Sequence, residues 1–138
     1  MGAPFPTRVP KLFRKTITFD GTAGNGVVGT VAIGTVTGAV ILQFGGVRCT
    51  TDLASSGGTV ELGCAGNTAA IVAQTTATDI DSGEFWQDAT PEAKVSPAIS
   101  LKNVGGNIIL TVATADVTAG VLEFDFYWLP LSSDGNLS

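Results

Sequence analysis

The chain has 138 residues, 44% of them hydrophobic and only 14% charged, enough for one domain with a real core but poor in the charge that usually covers a free surface. Twelve acids against seven bases give a net charge of −5, and there is no histidine. That removes the commonest general base along with the Ser-His-Asp and Cys-His nucleophile systems. With only two cysteines, a closed four-ligand zinc site of the usual kind is excluded as well.

Residues 1–14 carry Pro4, Pro6 and Pro10, spaced too closely for a helix and unable to donate in a central strand. They read as an extended arm. Its apolar residues Phe5, Val9, Leu12 and Phe13 suit docking on a surface better than a free tail. The prolines also break the apolar run a signal peptide would need, and no stretch nears the roughly 20 apolar residues of a membrane helix.

The domain proper is expected over residues 15–131. In Lys15 to Asp20, Ile17 and Phe19 alternate with threonines, which is strand periodicity. A Gly/Asn turn over Gly21 to Gly26 leads to two Val/Ile/Thr-rich strands at 27–37 and 39–50, with Gly38 between them and a bulge or sharp bend expected at Gly45-Gly46. After the Ser55–Gly58 turn come strands with Val60, Leu62 and Cys64 on one face, then 69–76. Strands resume at 95–103 and 107–114, where Val104-Gly105-Gly106 reads as a hairpin turn. The last strand, 120–129, sets Leu122, Phe124, Phe126 and Trp128 against Glu123, Asp125 and Tyr127. Pro130 ends it, and residues 132–138 read as a flexible tail. The fold predicted is all-β: an antiparallel β-sandwich or barrel, jelly-roll-like, with an extended N-terminal arm. Thr30-Val31-Ala32, Val36-Thr37 and Val40 recur as Thr111-Val112-Ala113, Val117-Thr118 and Val121 at a constant offset, an echo that composition explains as well as duplication does.

The one long irregular stretch, 77–94, holds the most site-like residues. Asp79, Asp81 and Glu84 around Ser82-Gly83 offer the oxygens a calcium ion wants, although the spacing is not that of an EF-hand. The competing reading is a solvated acidic turn whose aspartates bond their own backbone. Phe85 and Trp86 are either an exposed interaction hot spot or sugar-stacking platform, or the plug tying this loop to the core. Cys49 and Cys64 read as reduced core thiols, with a bond between them as the alternative. No catalytic residue and no cofactor is indicated, and the chain is read as a non-enzyme.

Charge is unevenly placed. Arg8, Lys11, Arg14 and Lys15 all precede the first acid, Asp20, and beyond them three bases face twelve acids, a net of −9. An acidic body argues against nucleic acid as the main partner. The basic arm, through Phe5, Arg8, Lys11, Phe13, Arg14 and Lys15, is the expected interface, either with a partner's acidic surface or with its own domain or a sister subunit.

The stretches KTITFDGTAGNGVVGTVAIGTVTG, TTATDIDSGEFW and VLEFDFYWLPLS resemble a family of small β-rich structural proteins of tailed bacteriophages, over nearly the whole of Lys15–Ser132. The resemblance implies a virion component made in the host cytoplasm, similar to capsid decoration or cement proteins that form homotrimers and bind the major capsid protein or other virion proteins. Its motifs carry no catalytic chemistry. The alternative it leaves open is a tail, fibre or head-spike module that binds a host glycan or a partner protein, with Trp86 stacking on the sugar.

Overall fold

The computed structural model describes residues 9–95 and 101–138. Among them the strands are β1 (Lys11–Thr18), β2 (Gly29–Gly34), β3 (Val36–Thr37), β4 (Val40–Ser55), β5 (Thr59–Cys64), β6 (Asn67–Thr76), β7 (Lys102–Val104), β8 (Ile108–Ala113), β9 (Val117–Pro130) and β10 (Asn136–Leu137), with one 3-10 turn at Ala77–Asp79. Two four-stranded sheets, ordered β1-β9-β4-β7 and β2-β8-β5-β6, form a sandwich, and β10-β3 makes a small third sheet. Every pairing between these strands is antiparallel. Among the described residues both main sheets end in open edges, with no closed barrel.

Alternation places the core between the sheets. In β9, Leu122, Phe124, Phe126 and Trp128 are buried while Glu123, Asp125 and Tyr127 point out. The second sheet answers with Val31 and Ile33 of β2, Ile108, Leu110 and Val112 of β8, and Val60 and Leu62 of β5. At roughly 1.5–3 kcal/mol for each large side chain buried, this double row is the main source of stability.

Four expectations are corrected. The arm does not run to residue 14: Lys11 to Arg14 already belong to β1, which pairs in unbroken register with β9 from Lys11↔Trp128 to Thr18↔Val121. The tail is not loose at its end, because β10 pairs with β3, Leu137 is buried, and Ser138 and Thr35 exchange backbone hydrogen bonds of 2.9 and 2.7 Å. The Val104-Gly105-Gly106 turn does not close a hairpin, since β7 pairs with β4 in one sheet and β8 with β2 and β5 in the other. Gly45 and Gly46 are not themselves the bulge: they pair in register with Phe126 and Asp125, and the irregularity lies between Leu42 and Phe44. A Cβ on Gly46 would come within 2.8 Å of Gln87 Nε2, the far end of a flexible side chain, so a larger residue there would displace the Gln87 amide. Of the strand expected at 95–103, Lys102 and Asn103 lie in β7, and residues 96–100 lie outside the described residues.

Thr30 sits opposite Thr111 and Gly45 opposite Phe126, so the offset of the sequence echo is also the pairing offset at two points. This is the register that an approximate half-turn relating β2–β4 to β8–β9 would give.

Candidate assembly surfaces

The β1 edge of the first sheet gathers Lys11, Phe13, Arg14 and Lys15 of the expected interface. Phe13 is half-buried and stacks on Phe126, with ring centroids 6.2 Å apart and planes 12° apart. It therefore packs on its own domain. Lys11 lies with Nζ 5.2 Å from the Trp128 ring centroid, a cation–π contact at the end of the core. Arg14 Nε donates to Asp125 Oδ1 at 2.6 Å, directly across the register, and this hydrogen bond and the charge of Asp125 raise the guanidinium pKa. Arg48 makes the matching pair with Glu123 one strand further in. The outer face of this sheet is thus locally neutralised, while Lys15 stays exposed and makes no ion pair among the described residues. Leu12 is exposed, opposite an exposed Tyr127. Phe5 and Arg8 lie outside the described residues.

The 77–95 segment runs along the far side of β4. Cys49 N donates to Glu84 O at 2.9 Å, Gly83 N to Cys49 O at 2.9 Å and Trp86 N to Val47 O at 2.8 Å, so residues 83–86 extend the sheet beside β4. Trp86 is fully buried, and its Nε1–H donates to Thr75 Oγ1 at 2.8 Å, a hydroxyl that in turn donates to the Ala73 carbonyl at 2.9 Å. Of the two readings of Trp86, the plug is the one that holds. An indole inside the sandwich offers no platform to a sugar or to a partner, so its place in the expected interface is corrected. Phe85 is half-buried and bridges Arg48 and Glu92 through the backbone.

The acidic turn is organised around its own backbone. Glu84 Oε2 accepts from Asp81 N at 2.9 Å, Asp52 Oδ1 accepts from Ser82 N at 2.7 Å, and Asp88 Oδ1 accepts from Thr90 N at 2.7 Å. Asp79 and Asp81 remain exposed. Among the described residues no three His, Cys, Asp or Glu side chains converge on a point where an ion would sit. Sequence reasoning missed Asp52, thirty residues away in the chain, because its role appears only when β4 and the turn meet.

Both cysteines are free thiols. Cys49 is buried beside Thr51 O, 3.0 Å from its sulfur, and burial pushes its pKa up to about 11. Cys64 is half-buried, 3.5 Å from the Gly106 carbonyl, and burial raises its pKa too. Neither environment stabilises a thiolate, so neither sulfur is set up as a nucleophile.

Comparison with protein families, with curated proteins and with solved structures found no match to this chain.

Proposed function

We propose that the protein is a non-enzymatic, self-associating jelly-roll module of the bacteriophage virion, a capsid decoration (cement) protein that works as a homotrimer on the major capsid protein. The observation that carries this reading is the pairing pattern. With the two-residue β3 and β10 set aside, the first strand pairs with the last, the second with the seventh, the third with the sixth and the fourth with the fifth. A long antiparallel hairpin rolled once upon itself has this pattern, which defines a jelly roll, an architecture used repeatedly in viral shells. The resemblance of three stretches of the sequence to phage structural proteins points the same way.

The surface chemistry suits the role. A cement protein contributes binding free energy across capsid subunit boundaries, which requires a stiff scaffold and area to bury against neighbours. Only 14% of residues are charged, and Val9, Leu12, Val95 and Leu101 stand exposed. The alternative, a tail, fibre or spike module stacking a glycan on Trp86, has no comparable support, because that indole is inside the core.

Two measurements test the proposal. Light scattering on the purified protein should return three times the 14.0 kDa chain mass, and cryo-electron microscopy of undecorated heads mixed with the protein should show new density on their outer surface. A monomer at tens of micromolar removes the self-association reading. Density confined to tails, or no binding, removes the decoration reading.

A further inference from the structure

We propose that copies of this chain associate head to tail through the two opposite edges of the first sheet, the basic β1 edge of one copy docking on the acidic far edge of the next. The inference rests on the self-association read above and assigns the surfaces that carry it.

The strand order β1-β9-β4-β7 puts β1 at one edge, and β7 with residues 83–86 on the far side of β4. Exposed large apolar side chains stand at both, while Val28 and Leu131 are exposed elsewhere. Val9 and Leu12 stand at the β1 edge with Tyr127 beside them, and Val95 and Leu101 flank the far edge. Isolated exposed apolar residues need no explanation, but two groups at opposite edges of one sheet mark surfaces that are covered in use.

Charge decides what covers them. On the β1 edge Lys11 and Lys15 are exposed, and the sheet's own acids Asp125 and Glu123 are already taken by Arg14 and Arg48. On the far edge Asp79, Asp81 and Glu92 are exposed without an ion pair among the described residues, and they outnumber the two bases there, Lys94 and the half-buried Lys102 of β7. Two β1 edges brought together would set lysines against lysines, and two far edges carboxylates against carboxylates. Unlike edges attract. A contact between unlike surfaces is heterologous and closes into a ring when the rotation allows, as a three-fold assembly requires. Direct β-sheet continuation is disfavoured on the β1 side, because the charged Lys15 falls in the same alternation as the inward-facing Phe13 and Ile17, a common guard on edge strands.

Sedimentation velocity on four proteins tests the assignment: wild type, K11E/K15E, D79K/D81K, and the variant carrying all four substitutions. Each double reversal should weaken assembly by about tenfold or more, and the fourfold variant, whose edges are again unlike, should recover it. Far-UV circular dichroism confirms that each variant is folded. Wild type alone gives a second reading: at 1 M salt, where the screening length falls to about 3 Å, its assembly should loosen. A wild-type oligomer that ignores both salt and the double reversals, or a fourfold variant that stays dissociated, overturns the edge assignment and leaves self-association standing. A wild type that is monomeric at every concentration removes the self-association reading itself.

Discussion

Trp86→Ala tests how the long loop is tied to the domain. The indole is fully buried, and truncating a buried tryptophan costs about 3–5 kcal/mol through lost burial and the cavity left behind. Its hydrogen bond to Thr75 adds about 1 kcal/mol, and no more, because the Thr75 hydroxyl keeps its own bond to Ala73 O. The expected loss is therefore about 4–6 kcal/mol, about a quarter or more of the stability of a typical domain. Thr75→Val leaves the indole N–H unpaired in the core and should cost about 1–3 kcal/mol, and paired with Trp86→Phe in a double-mutant cycle it should show coupling near 1 kcal/mol. Denaturant unfolding followed by fluorescence suits the measurement, because Trp128 remains as reporter when Trp86 is gone. A loss within about 0.5 kcal/mol for Trp86→Ala would refute the reasoning, since that is what an exposed side chain costs and the loop would then not be anchored by its tryptophan.

Two further outcomes are expected. The Cys49 thiol is raised from 9.0 to about 11 in the folded protein, so its contribution is complete below pH 9 and is lost as pH rises through about 11. The slope is at most about 1.4 kcal/mol per pH unit. Thermal melts between pH 8 and 11 should show this decline in wild type and a shallower one in Cys49→Ala; equal slopes would assign the decline to other groups. Leu137→Ala should cost about 2–3 kcal/mol and removal of residues 136–138 more, because the buried leucine and the Ser138–Thr35 bonds hold β3 in place. A truncated chain with an unchanged melting midpoint would show that the C-terminal strand contributes nothing.

Much of the architecture is legible in the residue pattern. The β9 alternation of Leu122, Phe124, Phe126 and Trp128 predicts its buried face residue by residue, and the threonine-rich alternation around Ile17 and Phe19 does the same for the end of β1. Reading failed where local chemistry does not carry the information. Glycines after Val104 announce that the chain turns, but a turn signal is the same whether the next strand joins the same sheet or crosses to the other. The prolines of the first ten residues hid the start of β1, since Leu12 and Arg14 face outward and only half-buried Phe13 packs inward there. Trp86 was ambiguous because nothing in its neighbours specifies which side of the loop meets the sandwich. Thr75, its hydrogen-bond partner, lies on a different element and comes close only when the fold is complete.

The position of β9 also sets an order in time. It is the last long strand to be synthesised, yet it lies between β1 and β4, pairing with the first strand of the domain along its whole length. The first sheet cannot close until β9, about a hundred residues after β1, has left the ribosome, and such distant pairings make folding slow. Throughout that interval β1 waits without its partner, with Leu12, Phe13, Ile17 and Phe19 open to other nascent chains. Lys11, Arg14 and Lys15, spread through the same strand, make it repel copies of itself while it waits. The positive charge of β1 is thus of the kind that keeps unpaired strands apart before any finished subunit exists to assemble.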